Sequence, residues 1–149
     1  MPPVTAHDLA IHFTHPSDPG LFHWLVAAFL MGKRIRAAAA VEAYRQLVEQ
    51  QGLDTPNKLA GCAHAVLVRR LGQAGYARYD ESTARRLRAL GAAFEAQMPA
   101  QREALRAGEL TRAAFERWLL TFEGIGPKTV EIFMREAARV LAFAEDAPV

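Results

Sequence analysis

The residues best suited to chemistry lie between Phe122 and Val130, which reads Phe-Glu-Gly-Ile-Gly-Pro-Lys-Thr-Val. Gly124 and Gly126 admit backbone angles closed to other residues and let a ligand approach the main chain. Pro127 suits the first turn of a helix, whose unpaired N–H groups and positive dipole end attract an anion. Lys128 and Thr129 add a cation and a hydroxyl donor at the same point, and the amides of Gly124, Gly126 and Lys128 are further donors. The chemistry on offer is phosphate binding. A lysine amine placed there is also a candidate nucleophile, provided burial or nearby cations free its lone pair. The alternative is a tight turn between two helices with a proline cap and no ligand.

Two amphipathic helices must hold this segment. Leu110, Ala114, Phe115, Trp118, Leu119 and Phe122 recur at helical spacing before it, and Val130, Phe133, Met134, Ala137 and Val140 after it, with Ile125 expected to plug the turn into the core. Upstream, Asp18 and Pro19 predict a helix start with the Asp18 side chain as cap, followed by an apolar face of Leu21, Trp24, Leu25, Ala28 and Phe29 that ends near Gly32. The next helix is expected to begin after Lys33 and Arg34 and to run to about Gly52. Thr55 and Pro56 predict a short helix to Gly61, and Ala63, Val66, Leu67 and Leu71 another that stops before Gly72 and Gly75. A helix from Asp80 or Ser82 to about Gln97 is expected to be separate from a turn or short helix that Pro99 opens and Gly108 closes. Trp24, Trp118 and Cys62 are placed in the core, while Tyr76 and Tyr79 are open to packing or to stacking on bases. Alanine is frequent and no alternating stretch suggests a strand, so the fold class is all-α, with residues 1–149 forming a single compact multi-helix bundle.

The segment Gly-Ile-Gly-Pro-Lys-Thr-Val resembles the centre of the helix-hairpin-helix DNA-binding motif, here over residues 109–141. The wider chain, over residues 19–140, is similar to endonuclease III-like DNA glycosylases. Leu21 to Ala40, the Thr55-Pro56 helix, Leu71 to Tyr79 with Gly75, Tyr76 and Arg78, and the hairpin follow in the same order. The resemblance implies a six-helix barrel that grips double-stranded DNA, damaged or abasic, in base-excision repair. It assigns DNA contacts to Gly124, Ile125, Gly126, Lys128, Thr129, Lys33, Arg34 and Arg78. It also implies N-glycosylase and abasic-site lyase chemistry, with Lys128 attacking C1′ of the sugar and Asp146 stabilising the developing positive charge, and a monovalent cation held by hairpin carbonyls.

The pattern is not complete. The four-cysteine iron-sulfur cluster of many relatives is absent, and so is the family's C-terminal part, so a partner protein or self-association is implied to complete the cleft. Glu123 stands where the family has a proline, and Met31-Gly32-Lys33-Arg34 where it has a glutamine-bearing loop. Two further readings therefore stand beside the enzyme: a DNA-binding module or subunit without catalysis, and a helical protein-interaction domain.

Composition narrows the classes. In 149 residues, 51% are hydrophobic and 23% charged, which suits one folded domain and excludes a disordered chain. The lone Cys62 rules out a disulfide framework and, with no secretory leader visible, points to the cytoplasm. The longest apolar run, Leu21 to Met31, is broken by His23 and is short of the roughly 20 residues a bilayer requires, so no membrane partner is expected. His7, His12 and His15 match no metal-ligand spacing, and no metal is expected at them. The net charge of +2 conceals two basic clusters, one with Lys33, Arg34 and Arg36, the other with Arg69, Arg70, Arg78, Arg85, Arg86 and Arg88 against Asp80 and Glu81. Clusters of this kind suit a polyanion, or else form solvated helix faces.

Overall fold

A computed structural model describes residues 3–76 and 78–144. After a 3-10 turn at His7–Leu9, these residues form α1 (Pro19–Met31), α2 (Ala37–Tyr44) continuing as a π-helical turn (Arg45–Gln50), α3 (Pro56–Gly61), α4 (His64–Ala74), α5 (Asp80–Arg106), α6 (Arg112–Leu119) and α7 (Pro127–Ala137). Among the described residues there is no strand, only an isolated bridge between Thr111 and Ala144. No helix among them is long and apolar enough to cross a membrane.

The chain is built around α1. Every residue from Gly20 to Leu30 except His23 is buried, so this helix is apolar on all sides rather than on the single face its spacing predicts. It packs against α2 and α7, while α5 packs against α3 and α4. Two buried polar contacts fix α1 in place. Trp24 Nε1 donates to the Phe133 carbonyl of α7 at 3.1 Å, and the Tyr76 hydroxyl donates to the Leu30 carbonyl at 2.8 Å. Leu30 lies in the last turn of α1, where carbonyls lack an intrahelical donor, so Tyr76 closes the helix end. Tyr76 is thus fully buried and has no face for a base. Tyr76→Phe is expected to lower stability by about 1–2 kcal/mol in urea unfolding, the effect of leaving a buried carbonyl without its donor; an unchanged midpoint would contradict this role.

Several boundaries differ from those the sequence predicts, each for an identifiable reason. Asp18 precedes α1 but does not cap it; its Oδ2 accepts from the Thr14 and His15 amides at 2.9 and 3.1 Å, closing the preceding turn instead. The second helix does begin after Lys33 and Arg34, at Ala37, and residues 32–36 form a connector. Helix α4 runs through Gly72 and ends at Gly75, which is left-handed with φ +110°. Pro99 does not divide α5. Glu95, whose carbonyl loses its i+4 donor to the proline, is exposed together with Pro99, so water can satisfy it, while Phe94, Met98 and Leu105 keep the helix docked. Trp118 is only partly buried, with its Nε1 donating to Gln97 at 2.8 Å, and Cys62 also lies at the edge of the core. Thr55 caps α3 as expected, accepting from the Lys58 amide, and Thr111 caps α6, accepting from the Ala114 amide.

Candidate functional site

The connection from α6 to α7 is a tight turn in which the Ile125 amide donates to the Phe122 carbonyl at 3.1 Å. Ile125 is buried and anchors the turn in the core. Gly124 adopts φ +89°, and a Cβ on it would stand 2.9 Å from Arg86 Cδ and 3.0 Å from the Phe29 ring. The turn is therefore pressed against α1 and α5 at once. Gly126 is the N-cap of α7, with extended backbone, open space around it and no side-chain cap. Its carbonyl accepts from the Val130 amide. Pro127 brings no N–H, and among the described residues the amides of Gly126, Lys128 and Thr129 have no protein acceptor. Three donors without a protein partner thus stand at the positive end of α7, beside the open space around Gly126.

Cations from separate elements gather at this turn. From the 32–36 connector, Lys33 donates its Nζ to the Gly124 carbonyl at 2.7 Å and lies 4.7 Å from the centre of the Phe29 ring. Burial pushes the Lys33 ammonium below the ordinary lysine range, and the nearby Arg86 adds to the effect. From α5, Arg85 and Arg86 reach Glu123 at 2.8 and 3.4 Å. The Arg85 guanidinium holds the Glu123 carboxyl below the usual carboxylate range, with Arg86 assisting, so this acid is partnered beside the turn. On α7, Lys128 is exposed at the rim of a cavity of about 310 Å³ that Met31, Ile35, Ile132 and Arg135 also line. Arg135 is held by Glu131 at 2.9 Å.

The residues singled out in the sequence are only partly brought together. Gly124, Ile125, Gly126, Lys128 and Lys33 share the turn, and Arg34 is exposed on the same connector as Lys33. Thr129 is 2% exposed, with its hydroxyl turned into the α1–α7 contact, where a Cβ on Gly32 would fall 2.0 Å away. Its side chain packs the helices, which leaves only its amide for a ligand. Arg78 is exposed on the α4–α5 connector, and among the described residues no hydrogen bond or ion pair joins it to the turn. Asp146 lies outside the described residues. The basic stretch is divided: Arg85 and Arg86 reach the turn, whereas Arg70 is bound to Gln46 and Gln51 and Arg88 leans on the Ala60 carbonyl. Arg86 and its partner Glu123 are the site residues that spacing does not find, because they meet across 37 positions of chain.

The carbonyls of the turn can be tested as a seat for a monovalent cation. Those of Phe122 and Gly126 accept main-chain amides, and that of Gly124 accepts the Lys33 ammonium. A charged group already occupies the position, so the residues present do not fit a free metal ion bound to Gly124. Among the described residues no group of three or more His, Cys, Asp and Glu side chains could hold a metal. Compared with protein-family models, with curated proteins and with solved structures, the chain matches none.

Proposed function

We propose that this chain is an endonuclease III-like DNA-binding protein of base-excision repair, and that its α6–α7 turn is a helix-hairpin-helix that holds the phosphates of duplex DNA. The observation that carries this reading is the placing of Lys33, Arg86 and Lys128, from three separate elements, around a helix start whose amides are free and whose N-cap Gly126 stands in open space. Amides at a helix start make short, charge-assisted bonds to a phosphate, and the surrounding cations attract the strand before contact. The buried α1, packed against α2 and α7, suits the six-helix barrel that the sequence order implies.

The cavity beside Lys128 extends the proposal to chemistry. Its wall of Met31, Ile35 and Ile132 would receive the apolar faces of a sugar or base swung from the stack, with Lys128 among the residues that line it. Attack of that amine on C1′ would displace the base and leave a Schiff base on the opened sugar. Borohydride trapping on duplex DNA with one abasic site is the test. A covalent adduct is expected with the wild-type chain and none with Lys128→Ala. Salt-sensitive binding without an adduct would make the chain a binding module and end the lyase proposal. For DNA binding itself, log K is expected to fall with log salt with a slope of roughly −3, about −0.9 for each of three or four phosphate contacts. Binding indifferent to salt would overturn the whole reading and leave a helical protein-interaction domain.

A further inference from the structure

The Lys33 ammonium has an unusual setting for a lysine on a connector whose other basic residues, Arg34 and Arg36, are exposed. It donates to the Gly124 carbonyl at 2.7 Å, it lies over the face of the buried Phe29 ring, and it is half-buried. An ammonium has three N–H donors. One is spent on the carbonyl and one is directed by the ring face, which leaves a third. The carbonyl belongs to the residue two positions before Gly126, whose amide begins the free donor set of α7. The geometry points to Lys33 as a cation tethered to the chain that joins the Gly124 carbonyl to a bound phosphate, in place of the free monovalent ion that the resemblance implies. This rests on the DNA-binding reading above and adds to it how one phosphate is held.

A tethered cation differs from a free one in a measurable way, since it is present at full occupancy whatever salt is in solution. Binding of a duplex oligonucleotide is to be compared in potassium chloride and in choline chloride at equal ionic strength, because choline has no N–H and is too bulky for a carbonyl seat. The wild-type affinity is expected to be the same in the two salts. Lys33→Met is expected to bind about tenfold more weakly in choline chloride, the loss of one charge-assisted hydrogen bond, and to recover about threefold or more in potassium chloride, as the ion enters the vacated seat. Lys33→Gln retains a neutral N–H for the carbonyl and so separates the charge from the bracing of the turn; it is expected to weaken binding to a similar degree.

Other results would overturn the inference. A wild-type affinity higher in potassium than in choline would show that a free ion is used in spite of Lys33. A loss in Lys33→Met that is equal in both salts, with Lys33→Gln binding like wild type, would reduce Lys33 to a brace. Either result would leave the DNA-binding reading intact. Failure of the wild-type chain to bind duplex DNA in any salt would instead remove that reading, and the bridging role with it.

Discussion

Gly124→Ala is expected to destabilise the protein by about 2–5 kcal/mol, the sum of forcing a side chain into the left-handed region and of overpacking a buried contact. The backbone there has φ +89°, and the new Cβ would meet Arg86 Cδ at 2.9 Å and the Phe29 ring at 3.0 and 3.1 Å. The two contacts are not equivalent. Arg86 Cδ belongs to a flexible, partly exposed side chain that can swing aside, whereas Phe29 is fully buried in α1 and cannot move without disturbing the core. Truncating Arg86 in the same chain would therefore relieve only the smaller part of the cost. Gly126→Ala, two positions on, is the control. Its extended backbone is open to any residue and nothing lies within reach of its Cβ, so the cost should stay within about 1 kcal/mol, the difference between glycine and alanine at an N-cap. Urea unfolding of the two variants side by side measures the contrast. Equal midpoints would mean that the turn is not pressed against α1 and α5.

That contrast also shows what can be read from the residues alone. The turn was legible because each position carries a local reason: two glycines, a proline fit for a first helical turn, and apolar residues spaced to face inward on both sides. The Thr55 cap of α3 was legible on the same ground, since a cap and its amide are three residues apart. What was not legible depends on the rest of the chain. Nothing near Pro99 says that the carbonyl it orphans will face solvent, so a break was expected where α5 continues. The Asp18 side chain could serve either side of its turn, and only the fold decides for the Thr14 and His15 amides. Thr129 looks like a surface donor until α1 is placed against α7 and Gly32 meets its hydroxyl. In the same way, Lys33 and Gly124 are separated by 91 positions, and no spacing rule joins an ammonium to a carbonyl at that distance.

Gly126→Asp is expected to abolish most DNA binding while leaving the fold as stable as before or slightly more so. Aspartate is a favoured N-cap, and from Gly126 its carboxylate can accept the free Thr129 amide, a gain of a few tenths of a kcal/mol over glycine together with a favourable charge at the positive end of α7. The space around Gly126 admits the side chain without a clash. Those same features are what a phosphate would use. The carboxylate would take up an amide meant for the ligand and would set a negative charge against the strand. Losing two charge-assisted bonds amounts to about 3–6 kcal/mol, so the affinity should fall by about a hundredfold or more. Because stability and binding move in opposite directions, the loss cannot be ascribed to a damaged fold. Thermal unfolding and oligonucleotide titration of the one variant test both halves. A variant that melts no lower and still binds as tightly as wild type would show that DNA does not reach the start of α7, and that the cations around the turn serve some other partner.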